Sequence, residues 1–180
     1  MLVWEEVAMR ILLALIGAVA IVVAVVAGGF FLGGFFDVSA NYDDHPVVKW
    51  ALVHVRTASI ERHAGGTPPM KLDDPAVIRD GARAFAKAGC ANCHGAPGVE
   101  WAKFSEGLNP DPPDLKENAA GYPPANIFWV IKNGIRMTGM PSFGKAGVSD
   151  NDIWQITAFV KALPKVSEAD YKSWTAPGGQ

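Results

Sequence analysis

Residues 90–94 read Cys-Ala-Asn-Cys-His, and no other stretch restricts so tightly what this chain can fold around. Two thiols three positions apart, followed at once by an imidazole, form the C-x-x-C-H pattern of c-type haem attachment. Each thiol can add to a vinyl group of the macrocycle, and the adjacent histidine then lies against the iron. The other uses of such thiols fare worse. Cys90 and Cys93 are the only cysteines, whereas a closed structural zinc site takes four ligands at paired spacings. The remaining histidines, His45, His54 and His63, lie far upstream and form no H-x₃₋₅-H pair. A thioredoxin-like redox pair belongs beside a βαβ unit, yet the segments flanking residues 90–94 read as helices.

An iron held this way usually takes a second axial ligand, and residues 134–144 offer one. The segment Gly-Ile-Arg-Met-Thr-Gly-Met-Pro-Ser-Phe-Gly places Met137 and Met140 in a Gly/Pro-rich loop. A thioether is a soft neutral donor that favours reduced iron and raises the reduction potential. Met140 is the better candidate: Gly139 permits close backbone approach, and Pro141 stiffens the chain just beyond the ligand. Met137 lies nearer the preceding helix and is expected to pack at the haem edge.

These pieces stand in a recognisable order. The chain resembles the class I c-type cytochromes, in their membrane-anchored, single-haem bacterial form. The resemblance is carried by the Gly81…Phe85 helix, Cys90-Ala91-Asn92-Cys93-His94-Gly95, the Gly139-Met140-Pro141-Ser142-Phe143 loop and the closing Trp154…Phe159 helix, over about residues 74–164. It implies an all-α, cytochrome c-like haem domain. It further implies one covalent haem c, attached through Cys90 and Cys93 and ligated by His94 and Met140, that carries single electrons. It implies that Gly81 lets the last helix cross closely near Ile156 and Phe159. A carbonyl in the Pro110–Pro112 region is expected to accept the second ring proton of His94, orienting it and strengthening it as a ligand.

The 49% hydrophobic fraction is high for a small soluble domain, and the surplus is concentrated near the N-terminus. Residues 11–36 contain no charge and no proline, and these 26 positions exceed the ~20 needed to cross a bilayer. Val38-Ser39-Ala40 has the small-residue character of a signal-peptide cleavage site, but a signal peptide's apolar region is only ~7–15 residues long. The stretch therefore reads as a retained single-pass anchor, residues 1–40. Lys and Arg are too evenly placed around it to orient it. The resemblance does so, because such cytochromes receive haem outside the cytoplasm, which places residues 41–180 in the periplasm. Ala20, Ala24 and Gly28, with Gly29 and Gly33, give small-residue spacings that suit a transmembrane helix partner.

Residues 41–73 read as a juxtamembrane helix and linker. Trp50, Val53, Thr57, Ile60 and Ala64 recur at threes and fours, with Leu52 and Val55 widening the apolar surface and Lys49, Arg56, Glu61 and Arg62 supplying polarity, which predicts an amphipathic helix over 46–64 that lies on lipid or on a partner. The nine-residue separations of His45, His54 and His63 turn a helix by half a revolution each time, so these side chains do not converge on a metal. Gly65-Gly66-Thr67-Pro68-Pro69 then forms a stiff linker.

Within the haem domain, 74–164, Asp74 and Pro75 predict a helix start and Gly89 a stop before the motif. The predicted helix buries Val77, Ala84 and Phe85. A short helix over 125–133 turns Ile127, Val130 and Ile131 inward, and Ser149 caps the last helix. Residues 95–115 read as a loop that packs on the porphyrin in place of a protein core. Residues 165–180, polar with Trp174 and a Gly-Gly end, read as a tail that either docks or is disordered.

Nine basic and nine acidic side chains across 74–164 leave no one-signed surface, which argues against nucleic acid as a partner. Lys132, Arg136 and Lys145 gather around the methionine loop and read first as solvated cations. Electron transfer is the expected role, not catalysis, with membrane-bound donor and acceptor complexes as partners. The alternative is a haem enzyme or sensor that binds a small ligand at the iron, but Met140 fills the position such a ligand needs.

Overall fold

Every regular element among the described residues, 2–176 of a computed structural model, is helical, so the fold is all-α. Two compact units divide the chain, Met1–Ser39 and Ala40–Gln180.

The first unit is built on α1, Leu2–Leu32. Its apolar side chains are exposed all round, Leu12, Val19, Val23 and Val26 among them. A helix that satisfies its own backbone and is apolar on every side suits a lipid environment. The span Trp4–Leu32 is long and apolar enough to cross a membrane. The helix stops short of the apolar run's end at Phe36. Gly34 turns left-handed at φ 75°, its N–H reaching the Phe31 carbonyl while the Phe35 N–H donates to Phe30 at 3.1 Å. This is a Schellman cap. Gly33 belongs to that cap: an added Cβ would meet the Gly29 carbonyl and the Phe35 ring, so its small size serves the chain's own turn.

The second unit begins with α2, Pro46–His63, which contains no buried residue. Its polarity differs from the one-sided face expected. Trp50, Leu52 and Val55 are 68%, 57% and 65% exposed, and at about 100° per residue they point in different directions. Arg56, Glu61 and Arg62 all lie in the second half. Polarity therefore changes along the helix axis. The polar end rests on the domain, where the His63 ring stacks on Trp129 with centroids 6.2 Å apart and Ile60 is half-buried.

The core of this unit is the crossing of α3, Pro75–Lys87, with α7, Asp150–Ala162. Asp74 caps α3 through the Ala76 N–H at 2.8 Å, and Ser149 caps α7 through the Asp152 N–H at 3.1 Å. At the crossing Gly81 faces the Gln155 carbonyl, and a Cβ there would lie 2.9 Å from the Phe159 Cβ. The rings of Phe85 and Phe159 then meet edge to face, 5.2 Å apart. On the other flank α6, Pro124–Asn133, stacks Phe128 on Trp154 at 4.2 Å. Phe128 and Ile131 are the buried members of α6, while Ile127 and Val130 are half-buried.

The segment expected as a tail is structural where it is described. Residues 168–175 form α8, Glu168–Thr175, capped by Ser167 through the Asp170 N–H at 3.1 Å. Val166 and Tyr171 are buried, Tyr171 stacks on Phe159 at 5.6 Å, and the Trp174 carbonyl accepts from Arg83 Nε at 3.0 Å. Residues 177–180 of that segment lie outside the described residues.

Candidate functional site

The α3–α7 crossing fixes where the chain leaves α3. Gly89, at φ 76°, donates to the Ala86 carbonyl, and the Cys90 N–H donates to Phe85 at 3.2 Å, a second Schellman cap. This cap delivers Cys90 directly into α4, Ala91–His94. The N–H groups of Cys93 and His94 both donate to the Cys90 carbonyl, at 3.2 and 3.0 Å, so both thiols and the imidazole share one turn. The Ala102 N–H then donates to Asn92 at 2.8 Å and ties the following loop back to that turn.

His94 is oriented from behind. Its Nδ1 lies 3.0 Å from the Pro113 carbonyl, which accepts the ring proton. The acceptor is one residue beyond the Pro110–Pro112 region expected. The adjacent residue explains the choice: Asp114 caps α5, Leu115–Asn118, through the Lys116 N–H at 2.7 Å, and so holds the preceding carbonyl in place. Burial lowers the His94 pKa, with the Pro113 bond opposing it, which favours the neutral imidazole that binds metals. With Nδ1 engaged, Nε2 remains for a ligand.

Cys90 and Cys93 are both free. Cys90 is buried, and that burial pushes its thiol up to about 12, against a lowering backbone hydrogen bond. Burial raises the Tyr171 phenol, and the neighbouring Cys90 adds to the rise, which places α8 close behind the motif. Two unpaired thiols and a neutral imidazole on one turn are a donor set that fits a c-type haem.

Met140 lies in the loop after α6. Gly134 ends the helix at φ 69°, where a Cβ would fall 2.6 Å from the Pro141 carbonyl carbon. Ser142 Oγ donates to the Lys132 carbonyl at 2.8 Å and the Phe143 N–H donates to Ile131 at 3.2 Å, so the loop satisfies the open end of α6. Inside the loop the Ile135 N–H donates to Met140, and Thr138 Oγ1 donates to Ile135 and accepts from the Met140 N–H. Met140 is half-buried and packs on the core. Met137 is 92% exposed to the surroundings of the chain and holds the left-handed φ of 59°. Lys132 is engaged by Asp150 at 2.7 Å, while Arg136 and Lys145 are exposed.

An open cavity of about 800 Å³ adjoins His94, walled by Trp101, Leu115, Leu163 and Val166. Lys103 and Glu106 give its rim both signs of charge, and Met140 is not part of its wall.

Residues 76–160 match the family described as cytochrome C oxidase, cbb3-type, subunit III. This segment is a c-type cytochrome domain. No curated protein matches the chain. Three features around the cytochrome site escaped the reading of the sequence: the Asp114 cap, the Thr138 hydroxyl that closes the methionine loop, and α8. The last was signalled, because Ser167-Glu168-Ala169-Asp170 repeats the Ser-x-x-Asp pattern of Ser149-Asp150-Asn151-Asp152.

Proposed function

We propose that this protein is a membrane-tethered one-electron carrier with one haem c, attached through Cys90 and Cys93 and ligated by His94 and Met140. The observation that carries the reading is the His94 Nδ1–Pro113 hydrogen bond beside two free thiols. It fixes the ring's tautomer and orientation and leaves the opposite nitrogen free. When bound, the haem supplies reversible one-electron chemistry. The protein's part is to hold both ligands still, with the α5 cap behind His94 and the α6 end beneath Met140. Were His94 and Met140 both to hold the haem, they would leave no open position for a peroxide or nitric oxide substrate, which favours transfer over catalysis.

In this reading α1 is retained as a single-pass anchor and the domain works on the periplasmic side. The family match, named for an oxidase subunit, supports a membrane-bound redox complex as donor or acceptor, either as a stable assembly or as a docking partner. Ala20, Ala24 and Gly28 leave α1 a surface for a second transmembrane helix, and Gly28 has nothing within 4 Å of an added Cβ.

The test is attachment. Protein purified from membranes should keep its haem stain on a denaturing gel, and the Cys90→Ala/Cys93→Ala variant should lose it. Release of the wild-type haem by acid and organic solvent contradicts the reading.

A further inference from the structure

The first half of α2 has no cover in the structure. Val47, Trp50, Leu52 and Val55 are each more than half exposed and point in different directions, with Val48 and Val53 between them. A partner's groove covers one side of a helix. Only an environment that surrounds the helix covers every side, and a helix apolar all round is ordinarily buried or in lipid. The charged residues Arg56, Glu61 and Arg62 begin where this apolar stretch ends. The chain reaches α2 through residues 33–45 after α1. Trp50 is a residue type enriched at the membrane–water interface, and the stem of Lys49 allows its ammonium to reach the headgroups. Past the charged border, the same helix docks on the cytochrome domain through the His63–Trp129 stack.

We infer that residues 47–55 of α2 are immersed in the headgroup and outer acyl region of the membrane crossed by α1, so that α2 is a second, non-spanning attachment of the cytochrome domain. This rests on the proposed retention of α1 as an anchor. One end of α2 is held by lipid and the other by Trp129. The domain then has a second point of attachment besides α1.

The full-length holoprotein tests this in its native membrane. A photo-crosslinking benzoylphenylalanine is placed at Trp50, at Val55 or at Glu61 in separate variants. Haem stain on the gel reports that each has assembled, and resistance to carbonate washing reports separately on α1. Positions 50 and 55 should give phospholipid adducts after illumination, with position 61 giving at least fivefold less. Protein adducts at 50 and 55 would overturn the inference in favour of a partner surface. Absence of any adduct at both positions would overturn it in favour of solvent. Loss of carbonate resistance would defeat the anchor reading instead, whatever the adducts show.

Discussion

Met140 and Met137 differ by three positions and share a loop, yet their surroundings differ. Met140 packs on the core, and its backbone is bound on both sides by Ile135 and Thr138. Met137 points into solvent. Replacing Met140 by histidine should retain the haem and lower the reduction potential, since imidazole favours oxidised iron more than a thioether does. Met137→Leu should leave the potential nearly unchanged. Redox titration of the two variants decides the assignment, and a swapped pair of outcomes would give the ligand role to Met137. The left-handed backbone at Met137 adds a second expectation. Met137→Gly removes a conformational cost of about 1–2 kcal/mol, so it should raise the denaturation midpoint with an unaltered visible spectrum. At this scale the motif and the methionine loop were legible in the sequence. The Pro113 acceptor was not, because several prolines in a row all offer carbonyls and only the Asp114 cap selects among them.

Helix boundaries followed from local chemistry wherever a cap was present. Asp74, Gly89 and Ser149 act where the sequence placed them, because each satisfies backbone groups that a helix end leaves open. Gly81 is different, since its reason lies in another element. A side chain there meets the Gln155 backbone, which cannot move without bending α7. Gly81→Ala gains about 1 kcal/mol of helix propensity but overpacks the crossing by about 1–3 kcal/mol. Denaturant titration should show a net loss, and an unchanged or raised midpoint would mean that α3 and α7 can separate at little cost. Two elements were misread for opposite reasons. The threes and fours from Trp50 to Ala64 fit one helical face, but Val47, Leu52 and Val55 fall on other sides and turn a face into an end. In α8 only Tyr171 and Trp174 bind eight mostly polar positions to the core, with Val166 just before the helix, too few for a periodic signal, and the cap at Ser167 was the cue that remained.

At the scale of the whole molecule, removing α1 need not free the rest from membranes. A fragment starting at Asn41 keeps the bare apolar end of α2, whereas one starting at Thr57 lacks it. The longer fragment should sediment with phospholipid vesicles and the shorter should stay in the supernatant, both with haem attached. Equal behaviour of the two would remove any role for residues 47–55. The cytochrome domain also has an order built into it. Cys90, the first residue of its motif, lies buried, and Tyr171 of α8 lies close behind it. With α8 undocked the core behind Cys90 is open, and once it docks the thiol is enclosed and burial pushes its pKa up to about 12. Enclosure of Cys90 and docking of α8 are thus one event, and any reagent that needs the Cys90 thiolate has to act while α8 is undocked.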